Sequence, residues 1–142
     1  KIHLLKRKSK SGLLKKLVAS FSKGFDLSEE GTIDALLHRT MFNIVHSESG
    51  TKVECWILKA EPYPQAMLKR RKRAKLGGHT FYVLSPEDLI LTKLQWYVLS
   101  GSDKHMNDVQ SVIRGQREKL DMPLIRKWGP KLSVSEYLRS LL

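Results

Sequence analysis

The chain has one cysteine, Cys55, so no disulfide can form within it, and its His and Cys residues show no zinc-site spacing. It has no apolar run long enough to span a bilayer and no secretory leader, so a cytoplasmic protein without a membrane partner is expected. Internal repeats and low-complexity segments are absent. Carboxylates are scarce: 14 Asp and Glu stand against 26 Lys and Arg, giving a net charge of +12 and a pI near 10.0. That imbalance favours anionic partners such as nucleic acid, nucleotides or an acidic protein. A length of 142 residues suits one domain, enough to bury roughly 70% of its unfolded surface without staples. The first residue is Lys rather than Met, as in a processed, cloned or truncated piece of a longer chain.

What is present centres on residues 85–99. Ser85 is a good N-cap, Pro86 suits the first helical position, and Glu87 and Asp88 meet the positive end of the helix dipole. Asp88 is also spaced to reach back to Ser85 as a short capping-box acid. Leu89, Ile90, Leu91, Leu94, Trp96, Tyr97, Val98 and Leu99 then make the helix apolar almost all round, as in an element packed on several sides. Lys93 is its one charge beyond the first turn. Such a lysine either carries its ammonium out to water or faces an anion in a cleft.

Upstream, Lys1, Lys6, Arg7, Lys8 and Lys10 surround Ile2, Leu4 and Leu5, either as a ragged edge strand or as a basic arm. Leu13, Leu14, Leu17, Val18 and Phe21 recur at helical spacing, with Gly24 as the stop. Ser28 caps a second helix with Ile33, Leu36 and Leu37 as its stripe. Met41–His46 and Lys52–Leu58 are expected as adjacent antiparallel strands about a Ser49-Gly50 turn. Alternation puts Val53, Cys55 and Ile57 on one face of the second strand and Glu54, Trp56 and Leu58 on the other. Glu54 is then either a buried carboxylate needing a metal, a cation or hydrogen bonds, or a water-facing acid paired with a lysine.

Gln65–Leu76 is expected as a short helix carrying Lys69, Arg70, Arg71, Lys72, Arg73 and Lys75, the densest basic run. Such a run is either a solvated face or a phosphate-contacting element. With no aromatic interleaved, it offers no stacking platform for single strands. Gly77-Gly78 and His79–Leu84 read as a turn and a short strand. Beyond the central helix, Gly101-Ser102, Asp121 and a Ser133/Glu136 capping box mark three further helices. The order is helices, a small mixed or antiparallel sheet packed by helices, and a helical tail: an α+β class. One domain, 1–142, is expected, with helices and sheet over 1–84 and helices over 85–142.

Phe42–His46, Lys52-Val53-Glu54, Gly77-Gly78, Ser85–Leu94 and Asn107-Asp108-Val109 together resemble the minimal nucleotidyltransferase-like proteins. These are small prokaryotic members of the polymerase-beta-type nucleotidyltransferase superfamily, related to the AbiEii toxin group. The resemblance runs from about Phe25 to the C-terminus. It implies chemistry in which carboxylates hold two Mg²⁺ ions that align a hydroxyl with the α-phosphate of a nucleoside triphosphate. It would make Glu54 the third catalytic carboxylate and metal ligand. Lys93 would face the triphosphate, with Asp108 supporting the site from the next helix.

The sequence departs from that family in one respect. No Gly-Ser turn followed by Asp-x-Asp occurs in residues 1–142, and the earliest acid is Asp26. The resemblance would place that pair before Lys1, so the chain is expected either to lack the segment or to have lost the site. Either way the expectation is a catalytically incomplete domain that keeps nucleotide or nucleic-acid binding, with Mg²⁺ only if active. A sheet cut short in this way would expose an edge for self-association. The alternative is a non-enzymatic basic nucleic-acid-binding or adaptor module acting through Lys69–Lys75 and the Lys1–Lys16 region. A nuclease using Glu54 and Lys59 is disfavoured, because the usual Glu-x-Lys spacing is absent.

Overall fold

A computed structural model of the chain describes residues 10–21 and 23–142. The basic stretch over residues 1–9 lies outside the described residues. The chain divides into two units, the first ending at Gln65 and the second running over Ala66–Leu142. Each has its own elements, and both are built from helices and antiparallel strands, an α+β protein.

The first unit contains helix α1 (Lys10–Ser20), strand β1 (Phe25–Asp26), helix α2 (Glu29–His38), strand β2 (Met41–His46) and strand β3 (Lys52–Trp56). The strands form an antiparallel sheet in the order β1-β2-β3, with Phe42 opposite Cys55 and Ile44 opposite Val53. Opposed residues share a face, so one period-two set turns inward. Phe42, Ile44 and Cys55 are buried with Ala35 of α2, and Leu17, Phe21, Leu27, Val53 and Ile57 pack against them. Burying a side chain such as Phe42 or Ile44 is worth about 1.5–3 kcal/mol, which outweighs the weak propensities of so short a sheet. Ser28 caps α2 as its type predicts, its hydroxyl accepting the Gly31 N–H at 3.0 Å.

The second unit begins inside helix α3 (Pro62–Arg70) and continues through strands β4 (Lys72–Leu76) and β5 (His79–Val83) to four helices. These are α4 (Pro86–Ser100), α5 (Asp103–Gln116), α6 (Met122–Trp128) and α7 (Ser135–Leu141). The single helix expected over Gln65–Leu76 is therefore wrong. It stops at Arg70, and 72–76 pairs instead with 79–83, Arg73 opposite Tyr82 and Lys75 opposite Thr80. Gly77 and Gly78 explain the outcome. Both take positive φ, 55° and 76°, the left-handed two-residue turn whose twist matches a hairpin. Pairing across that turn overrides the good helix propensity of Lys, Arg, Ala and Leu.

Helix α4 starts and stops where its residues dictate. The Ser85 hydroxyl accepts the Asp88 N–H at 3.1 Å, and Gly101 closes the helix at φ 65°. Ile90, Leu91 and Leu94 are fully buried, and α4 packs on α5 and α6. It is less enclosed than its composition suggests, since Val98 and Leu99 on its last turn face water. Asp121 caps α6 through the Leu124 N–H at 3.0 Å. The Ser133/Glu136 capping box does not form. Ser133 adopts φ 57° to close the tight Pro130–Leu132 turn, and no side chain caps α7. An N-cap needs extended backbone, which that left-handed residue does not have.

Candidate nucleic-acid interface

The β4–β5 hairpin sorts the basic run by the parity of a strand. Arg73 and Lys75 alternate along β4 with Ala74 between them, and they share a face with Tyr82 and Thr80 opposite. Arg71, one step before the strand, lies in the same series, its guanidinium 4.6 Å from the centroid of the Tyr82 ring. Arg71, Arg73 and Lys75 thus form a row of exposed cations spaced by about 6.7 Å, two strand residues apart. Among the described residues no carboxylate lies within ion-pair distance of any of the three. A helix over the same residues would have spread these charges round its surface. The hairpin aligns them.

The other members of the run have different surroundings. Lys69 is exposed near the end of α3. Arg70 turns to Asp88, donating from Nε at 3.1 Å and from a terminal nitrogen at 2.5 Å. Asp88 is fully buried and also accepts from the Ser85 hydroxyl at 3.2 Å. So Asp88 reaches back to Ser85 and serves Arg70 as well, and Arg70 is a structural cation with its charge balanced. Lys72 lies near Glu87, a buried carboxylate that accepts the Asp121 N–H at 3.0 Å. Burial pushes the Glu87 carboxyl up. Hydrogen bonds from the Asp121 and Glu87 backbones and from Ser85, with the Lys72 charge, outweigh that and hold it below the usual range.

The two residues that the family resemblance assigns to a nucleotide are brought together. Lys93 of α4 meets Asp108 of α5 at 2.6 Å, their side chains 28% and 42% exposed. The ammonium is held by Asp108 rather than running free into water. It is neutralised by that acid, a pairing that the resemblance does not itself imply. The hydrogen bond from Lys93 is the chief cause that holds the Asp108 carboxyl below its ordinary value. The charges of Lys93, Lys104 and His105 add to it, against slight burial. A pair this exposed contributes about 0–1 kcal/mol, so a stronger anion could compete for the lysine.

Glu54 is in the first unit and takes the water-facing alternative. It lies on β3, a sheet edge, opposite Asn43, with its side chain 45% exposed and 3.5 Å from Lys52. Strand parity decides this: Cys55 takes the buried face, so both its neighbours must face out. Lys59, the partner imagined for a nuclease, is 3.9 Å from Glu61. Among the described residues no three His, Cys, Asp or Glu side chains gather within reach of one metal ion. The residues present therefore do not fit a two-Mg²⁺ site around Glu54. None of the described helices is long and apolar enough to cross a membrane. No family model, curated protein or solved structure matches the chain.

Proposed function

We propose that the second unit is a nucleic-acid-binding module without its own catalytic centre, whose β4–β5 hairpin lays Arg71, Arg73 and Lys75 along phosphates. The observation that carries this reading is the row itself: three exposed cations on one face of a two-stranded ribbon, none matched by a carboxylate among the described residues. Each phosphate so neutralised releases condensed counterions, and that release drives the binding. A two-stranded ribbon also has the width to enter a groove of about 12 Å. The test is anisotropy of a labelled oligonucleotide over a salt series. Binding should fall with a slope of log affinity against log salt of at least about 2.7 on a duplex, three contacts at 0.9 each. Absence of binding at about 50 mM salt, or binding indifferent to salt, overturns the proposal.

A second reading is an incomplete nucleotidyltransferase-like domain that keeps a triphosphate contact, and the juxtaposition of Lys93 and Asp108 favours it. A triphosphate would have to displace Asp108 from the ammonium, which then acts as a point charge. Nucleotide transfer itself is not expected, because two-metal chemistry needs carboxylates bridging both ions and, among the described residues, no metal-holding group of side chains includes Glu54. Incubation with labelled nucleoside triphosphates, Mg²⁺ or Mn²⁺ and RNA or protein acceptors should leave no label. Label incorporated by the parent chain and lost in Glu54→Ala would reinstate the enzyme.

A further inference from the structure

Three cations converge on one tryptophan in the second unit. The Arg70 guanidinium lies 5.7 Å from the Trp128 ring centroid, the Lys127 ammonium 5.9 Å and the Lys131 ammonium 5.2 Å. Trp128 is only 8% exposed, so the ring is a nearly buried floor beside which these cations stand. The charges of the three are not equivalent. Arg70 is balanced by Asp88, whereas neither Lys127 nor Lys131 has a carboxylate within ion-pair distance among the described residues. Two unbalanced ammonium groups are therefore held beside one fixed ring, and Arg70 joins this ring to the start of the hairpin row at Arg71.

The aromatic rings in this basic region share a second property. Tyr82 already carries the Arg71 guanidinium at 4.6 Å, and Trp128 is nearly buried beneath its own cations. Single strands are held by stacking bases on bare aromatic faces, worth about 1–3 kcal/mol per base. Here one face of Tyr82 is occupied by a guanidinium and Trp128 is inaccessible, so no row of bare rings is offered. The larger contact offered to a ligand is charge in two groups. A duplex presents phosphates on two strands, about one charge per 1.7 Å of axis, and can satisfy both groups at once.

We infer that Lys127 and Lys131 form a second phosphate-contacting element beside the hairpin, and that the ligand of this face is a nucleic-acid duplex rather than a single strand. The inference rests on the hairpin reading above, because the two elements would hold one ligand. The experiment compares the full chain on a DNA duplex, an RNA duplex and their separated strands across a salt series. Either duplex should bind more tightly than its own strands. Lys127→Gln/Lys131→Gln should lower the duplex salt slope by about 1.8, two contacts at 0.9, and leave the single-strand slope unchanged. The charge-preserving Lys127→Arg/Lys131→Arg should retain the duplex slope, which separates lost charge from lost packing on Trp128. Single strands bound as tightly as duplex overturn the inference. So does a duplex slope that the glutamine pair leaves untouched while Arg73→Gln/Lys75→Gln reduces it, a result under which the hairpin reading survives. If the parent chain binds none of these ligands, both fall together.

Discussion

Asp88→Ala should destabilise the second unit by about 3 kcal/mol, at the lower end of the 3–5 expected when one partner of a buried ion pair is removed. Asp88 is fully buried and accepts two hydrogen bonds from Arg70 and one from Ser85, so alanine removes all three and leaves a cavity among polar groups. The lower end applies because the Arg70 side chain is 26% exposed and can swing partly into water when its partner is gone. The Ser85 cap itself survives, since its hydroxyl bonds the backbone N–H of residue 88, which alanine keeps. Asn at this position retains the shape and the Ser85 contact, so Asp88→Asn should cost less than Asp88→Ala. For a unit of this size 3 kcal/mol lowers the melting temperature by about 12 °C or more. Urea and thermal unfolding followed by circular dichroism measure it. A loss below about 1 kcal/mol would mean that the pair behaves like an exposed one.

The parts of the fold that were legible in the sequence are those written in neighbouring residues. Ser28, Ser85, Gly101 and Asp121 each satisfy or terminate a helix within four positions, and each does so in the structure. The β2–β3 hairpin was likewise set by alternation on both sides of Ser49-Gly50. What escaped depends on groups distant in the chain. Arg70 and Asp88 are 18 positions apart, and nothing near either residue says that a cation of a basic run will be taken inside. Lys93 and Asp108, 15 apart, were singled out separately but not as each other's partner. Glu54 shows a different limit. Alternation fixed which residues share its face, but not which face is buried, nor that its strand would be an edge.

The strand at 72–76 is the miss with functional weight. Lys, Arg, Ala and Leu favour a helix, and the signal that could have reversed the reading was Gly77-Gly78 flanked by segments of equal length. Read as a helix, the run is a solvated surface with charge on every side. As a strand it separates Arg71, Arg73 and Lys75 from Lys72, and Arg70 at the end of α3 is withdrawn to Asp88.

That separation gives the largest expected effect on binding. Neutralising the row in Arg71→Gln/Arg73→Gln/Lys75→Gln should remove about 2.7 from the slope of log affinity against log salt on duplex nucleic acid. Over a fourfold change, from about 50 to 200 mM salt, that slope corresponds to about 40-fold in affinity, the share of salt sensitivity the row would supply. The loss should be uniform across oligonucleotide sequences, because phosphate contacts carry no base information. Stability should stay within about 0.5 kcal/mol of the parent, since all three side chains are exposed and none holds a buried partner. Arg70→Gln provides the contrast. Its charge is already balanced by Asp88, so it should lower the melting temperature, and after correction for the unfolded fraction leave the salt slope in place. Size-exclusion chromatography of the triple variant checks that removing charge from the hairpin has not opened its edges to pairing with another copy. If the triple variant keeps the parent slope while Arg70→Gln loses it, the phosphates lie elsewhere and the row is only a solvated face.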